Sequence, residues 1–187
     1  KAIGHDLVEV VGSGEFGGGV AFKSQGNLCR GNAGAVVGDA QKALAGYLLR
    51  LNYPLSTYVG FDILASMVDK ARALYAAQTG WIFTSDFDAL AQVDYAITSG
   101  IFNLKLDTPF DTWTQYVTSE LHKMDRLTRK GFSFNMLTKY SDAEYMRPHL
   151  YYADPCYLFD YCKRNFSRNV ALLHDYEVYD FTLIVRK

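Results

Sequence analysis

Apolar residues recur at helical spacing in several stretches of the chain, and short β-branched or aromatic runs separate them. KALAGYLLRL (42–51) sets Leu44, Tyr47, Leu48 and Leu51 on one face. SMVDKARALYAA (66–77) does the same with Met67, Ala71, Leu74 and Tyr75. The run from Phe110 to Leu127 carries a stripe of Phe110, Trp113, Val117, Leu121, Met124 and Leu127. Thr108 is placed to cap that helix, with Pro109 at its first position and Arg129, Lys130 and Gly131 closing it. Asp154-Pro155 opens a further helix through Phe166. Between these lie strand candidates: AGAVV (33–37), TYVGFDI (57–63), WIFTSD (81–86), VDYAITSGIF (93–102) and GFSFNMLTKY (131–140). NVALLHDYEV (169–178) and YDFTLIVRK (179–187) adjoin with almost no linker, which predicts an antiparallel hairpin. Alternating strands and helices predict a parallel sheet covered on both faces.

Glycine changes the picture at the N-terminus. Eleven of the fifteen glycines fall in the first 46 residues, so 1–32 reads as a loop-rich lead segment and 33–187 as one α/β domain. An apolar content of 49% over 187 residues supports a real core, and a net charge of −1 offers no global field for nucleic acid or anionic membrane. The three cysteines (Cys29, Cys156, Cys162) and four scattered histidines show no zinc spacing, so no metal site and a cytoplasmic location are expected.

The strand ending in Asp62, the strand-end segments FTSDF and DYAITSGIFN, and the closing HDYEVYDFTLIVRK resemble the class I, Rossmann-like S-adenosylmethionine-dependent methyltransferases over about residues 33–187. The resemblance implies an α/β, doubly wound, mostly parallel seven-stranded sheet with a C-terminal antiparallel hairpin strand. It implies S-adenosylmethionine as cofactor and S-adenosylhomocysteine as product. On this alignment Gly38, Asp39 and Ala40 form the cofactor loop, Asp62 and Ile63 meet the ribose, and Asp86 and Phe87 flank the adenine. Ser99, Gly100 and Ile101 line the transfer site, with Phe102 and Asn103 facing the acceptor. Gly38 keeps the first glycine of the family's Gly-x-Gly-x-Gly loop, while Ala40 and Lys42 stand at the second and third. A carboxylate at a strand's C-terminal edge suits the ribose role, because it accepts two O–H bonds strengthened by its charge.

Tyr151 and Tyr152 lie just before the last helix, where they either wall an acceptor pocket or pack the helix on the sheet. His149 and Tyr140 are the candidate general bases, with Asp154 a third. HKMDRLTRKG (122–131) is basic and reads first as a solvated helix end. The expected function is methyl transfer to O or N of a small-molecule acceptor, with no nucleic-acid or membrane partner. Two other readings stay open. One is a catalytically inactive binding protein of the same fold. The other is a nicotinamide-dependent oxidoreductase that uses LVEVVGSGEFG (7–17), a strand-like run leading into Gly12-x-Gly14-x-x-Gly17.

Overall fold

The computed structural model describes residues 5–10, 15–16, 20–21, 44, 46–52 and 55–187. Its strands are β1 (His5–Val10), β2 (Glu15–Phe16), β3 (Val20–Ala21), β4 (Leu55–Phe61), β5 (Trp81–Thr84), β6 (Val93–Thr98), β7 (Thr128–Leu137), β8 (Asn169–Leu173) and β9 (Asp180–Arg186). The main helices are α1 (Ala65–Leu74), α2 (Phe110–Leu127) and α3 (Pro155–Asn165). Seven strands form one sheet in the order β5-β4-β1-β6-β7-β9-β8, and β2 and β3 pair as a separate antiparallel ribbon.

The first five strands across the sheet run parallel, and β9 is antiparallel to both β7 and β8. Because β9 is reversed, it starts at the same edge where β4, β5, β6 and β7 end. The hairpin loop 174–179 lies at that carboxyl edge too. It separates two strands that the sequence pattern joins directly.

Alternation along the strands splits the core by face. Phe132, Phe134 and Met136 of β7 and Phe181, Leu183 and Val185 of β9 are buried on one face. Trp113, Val117 and Leu121 of α2 and Leu158 and Cys162 of α3 cover them. On the other face Val68, Ala71 and Tyr75, from α1 and its C-terminus, pack with Tyr58 and Phe83. Helices on both faces are what a parallel sheet requires to bury its apolar surface. Among the described residues, no helix is long and apolar enough to cross a membrane.

Four expectations are corrected, and one lies outside the described residues. The structure places His5–Val10 at the middle of the sheet, between β4 and β6, so this stretch belongs to the α/β domain and not to a lead segment. The candidate strand 33–37 lies outside the described residues. Helix α2 starts at Phe110 with Pro109 as N-cap and no side-chain cap, so Thr108 does not cap it. Finally, α2 passes straight into β7 at Thr128, and Gly131 is a strand residue with φ of 151°. A Cβ there would collide with the Val185 carbonyl oxygen on β9, so glycine is needed for the strands to approach. Arg129 and Lys130 do not sit on the helix dipole. They bind Asp94 at the start of β6, at 3.0 and 2.7 Å.

Candidate active site

The strand order reverses its direction of growth at β1. The chain goes from β1 outward to β4 and β5 on one side, and to β6 and β7 on the other. Val10, the last residue of β1, pairs with Phe61 and with Thr98. The tips of β4 and β6 therefore flank the place where the chain leaves β1, which is where open α/β sheets bind ligands.

Asp62 is the first residue beyond β4, and it is fully buried. Its backbone N–H bonds the Thr84 carbonyl at 3.2 Å, which anchors it to the neighbouring strand end. One carboxylate oxygen accepts the Leu64 N–H at 2.8 Å. The other oxygen is buried with no hydrogen-bond partner. Burial pushes the carboxyl up to about 6, partly offset by the Leu64 bond. A buried carboxylate oxygen without a donor costs free energy of about 1–3 kcal/mol or more, a cost that a donor on a ligand would offset. Two vicinal hydroxyls of a ribose would supply the missing donor, and the side chain therefore fits an adenosine-bearing cofactor. Ile63 is half-buried beside it, packed on the main core.

Asp86 and Phe87 sit at the end of β5. Asp86 is exposed, and its carboxylate closes its own turn by accepting the N–H groups of Asp88 and Ala89, at 3.0 and 3.3 Å. Phe87 is half-buried and meets Phe61 edge to face at 5.6 Å. Ser99 is exposed at the tip of β6. Gly100 adopts φ of 69°, and its N–H is held by the Asn135 side chain at 2.7 Å. The Asn103 side chain returns the tie, accepting the Leu137 N–H at 3.0 Å. Two asparagines thus lock the β6 exit loop to β7 from both directions.

The remaining candidates divide. Phe102 is fully buried, and its carbonyl accepts the Trp113 indole N–H at 2.8 Å. Tyr151 is 2% exposed, its ring tilted against Phe110 at 4.8 Å, with its hydroxyl on Thr114 at 2.8 Å. Both are taken up in packing α2 and α3 onto the sheet and present no free face to an acceptor, which corrects their substrate-binding assignment. Tyr152 is half-buried and its hydroxyl accepts the Arg147 N–H at 2.9 Å, bracing the 138–154 loop. The Asn103 side chain is likewise engaged by the backbone.

His149 and Tyr140 are exposed on the same loop, which starts at the carboxyl end of β7. The Tyr140 ring lies 6.0 Å from that of His174, with the Lys139 ammonium 5.2 Å from the Tyr140 ring centroid. Asp154 caps α3 by accepting from Cys156 and Tyr157, and it pairs with Lys139 at 2.7 Å. That pairing lowers its carboxyl below the ordinary range, which removes it as a base near neutrality.

Gly38, Asp39 and Ala40 lie outside the described residues, as do Gly12, Gly14 and Gly17. The strand at the switch point is nonetheless His5–Val10, which in sequence directly precedes the Gly12 motif and not Gly38. Sequence reasoning marks 7–17 as a strand-like run leading into a glycine motif but keeps it out of the α/β domain, because no helical period follows it. It passes over Asn135, Thr98 and Asp180. Thr98 is buried at the end of β6 with its hydroxyl unpartnered.

A mostly parallel seven-stranded sheet of this order, closed by an antiparallel hairpin and with an acidic residue at the tip of β4, is the architecture of the Rossmann-like methyltransferases. The chain belongs to the class I S-adenosylmethionine-dependent methyltransferases and is an enzyme of that class. It is 45% identical over 130 residues, 70% of this chain and 78% of the relative, to a Mycobacterium tuberculosis (strain ATCC 25618 / H37Rv) protein named "Putative methyltransferase Rv1506c". No family model matches the chain. Among solved structures, the N-methyltransferase NodS from Bradyrhizobium japonicum WM9 superposes with a TM-score of 0.56 at 8% identity, over 98% of this chain and 85% of that one. TrmK of M. capricolum, in complex with S-adenosylhomocysteine, gives 0.53 at 9% identity, over 98% and 62%. An RNA repair complex and a carbon methyltransferase also share the fold, and this chain spans 38% and 48% of those chains.

Proposed function

We propose that the chain transfers the methyl group of S-adenosylmethionine to an oxygen or nitrogen of a small-molecule acceptor, with the cofactor laid across the tips of β4, β1 and β6. The observation that carries the cofactor placement is the unpartnered Asp62 oxygen, buried at the end of β4. The cofactor supplies an activated methyl group on a sulfonium. The protein's own task is then to bind, to align the acceptor with the methyl carbon and to exclude water. In this reading Glu9, on the central strand, and Gly12-Ser13-Gly14, which come after that strand in sequence, take the place of the family's acidic residue and glycine loop. Gly38–Ala40 do not.

A small acceptor is favoured by charge. Of the basic residues between positions 122 and 131, Lys123 pairs with Glu120, and Arg129 and Lys130 pair with Asp94. Three of its four cationic side chains are thus engaged by carboxylates, which weakens it as a footprint for a phosphate backbone. The unpaired thiols of Cys156 and Cys162 fit a reducing cytoplasm.

Calorimetric titration with S-adenosylhomocysteine tests the proposal. Saturable heat that disappears in Asp62→Ala is the expected result. Absence of heat at millimolar ligand would favour the inactive reading, and fluorescence enhancement of NADH on mixing would favour the oxidoreductase.

A further inference from the structure

Four buried side-chain oxygens among the described residues make no hydrogen bond: Asp62 Oδ2, Thr98 Oγ1, Asp125 Oδ1 and Asp180 Oδ1. Asp125 lies far from the carboxyl edge and is compensated by the Lys187 ammonium at 2.9 Å. The other three all stand at the carboxyl edge, at the ends of β4 and β6 and the start of β9. Asp62 is explained by the cofactor, whereas Asp180 has no such explanation.

Asp180 opposes Leu137, and Thr182 opposes Asn135, in the β7–β9 ladder. Asp180, Thr182 and Asn135 therefore share one sheet face, opposite to the face that buries Phe181 and Leu183 under the helices. Asn135 is the residue whose side chain holds the Gly100 N–H. Strands lie about 4.8 Å apart, so Asp180 stands about 10 Å along the edge from the β6 exit loop, the length of a small molecule. Tyr176 closes the far side, its hydroxyl 2.7 Å from that of Thr182. Burial raises the Asp180 carboxyl, and a group so desolvated accepts a proton more readily.

We propose that Asp180 is the group that binds the acceptor's O–H or N–H and takes its proton during transfer. The assignment rests on the methyl-transfer reading above, and it specifies a protic, planar or compact acceptor and not a carbon acid or a phosphate-rich chain. In the step, the acceptor's oxygen or nitrogen forms a bond to the methyl carbon as the carbon–sulfur bond breaks. The electron pair of that bond stays on sulfur, which becomes a neutral thioether, and the acceptor's proton passes to the Asp180 carboxylate.

The test uses the full chain, both ligand-free and loaded with S-adenosylhomocysteine, and phenol, anisole and imidazole as probes. Phenol or imidazole is expected to move the Asp180 side-chain carbon resonance and the amides of Gly100 and Asn135, while anisole, which lacks the donor, leaves them in place. Asp180→Asn is expected to weaken phenol binding about tenfold, as loss of a charge-assisted hydrogen bond does, with S-adenosylhomocysteine affinity unchanged and no loss of melting temperature. Anisole binding as tightly as phenol, unaltered phenol affinity in Asp180→Asn, or no response of Asp180 to either protic probe up to saturation would each overturn the assignment. Failure of S-adenosylhomocysteine to bind overturns the cofactor reading instead, and the ligand-free titrations still decide the role of Asp180.

Discussion

At one end of the sheet, ionised groups find each other. Asp94, at the start of β6, receives Arg129 and Lys130 from the start of β7. Lys187, past the end of β9, reaches Asp125 and the Thr128 carbonyl at 2.9 and 2.7 Å. At the other end, Asp62 and Thr98 are buried and Asp180 is half-buried, each with a buried oxygen left over. The same β-strands supply both ends, so strand propensity does not account for the difference. The charged groups at the amino edge are paired within the fold. At the carboxyl edge Asp154 is paired with Lys139, whereas Asp62, Thr98 and Asp180 each keep an oxygen without a partner, and the proposed function gives Asp62 a ligand as that partner. Burial without pairing therefore distinguishes the two edges more sharply than residue type does, since aspartates occupy both.

The sharpest way to break this contrast is at Asp62. Asp62→Asn is expected to weaken S-adenosylhomocysteine binding about 100-fold, the loss of two charge-assisted hydrogen bonds to ribose, measured by calorimetry. The same variant is expected to be more stable than the parent at pH 7, by about 1–2 kcal/mol in denaturant melts of the ligand-free protein. The sign follows from the raised carboxyl. Its folded value of about 6 exceeds the unfolded 3.8, so its contribution to stability is complete below 3.8 and is lost as pH climbs through 6. A variant that lost stability while keeping the ligand would reverse the meaning of the orphaned oxygen.

Gly131→Ala probes the paired end. The Cβ would strike the Val185 carbonyl on a backbone with φ of 151°, so a loss of about 2–4 kcal/mol is expected from chemical denaturation. Ligand affinity of the folded fraction should not change. Acid offers a third probe. Ribose hydroxyls donate to the ionised form of Asp62, so the dissociation constant of S-adenosylhomocysteine is expected to rise about tenfold per pH unit below about 6. A flat profile between pH 7 and 5 would detach Asp62 from the cofactor. The smallest effect is expected from Asp94→Ala, about 1 kcal/mol of stability with unaltered ligand affinity, because its two cationic partners are 43% exposed and regain water.

Much of this was readable from spacing. The apolar stripe of Trp113, Val117, Leu121, Met124 and Leu127 forms the buried face of α2, and Asp154-Pro155 starts α3 with its cap in place. Asp62 could be picked out because a carboxylate at the end of an apolar, β-rich run has few structural uses. Tyr151 and Phe102 could not be told from pocket walls, since aromatic residues near a loop read the same whether they face solvent or a helix. His5–Val10 was misjudged for a local reason: a strand announces itself partly through the helix that follows, and here a short two-stranded ribbon follows. Asp180 looks like any polar residue at a turn until the ladder sets it opposite Leu137.

The sequence by itself determined the periodic elements, the alternation that buries one side of each strand, and the presence of an acidic residue at a strand tip. These depend on neighbours within a few positions, and local sterics and hydrophobicity act at that range. Only the tertiary structure decided which strand occupies the centre of the sheet, which aromatic rings are consumed in packing, and which carboxylates are paired. Those outcomes depend on residues brought together across the chain, such as Asp94 with Arg129 or Gly100 with Asn135. Their energies come from desolvation and pairing that exist only once the sheet is assembled.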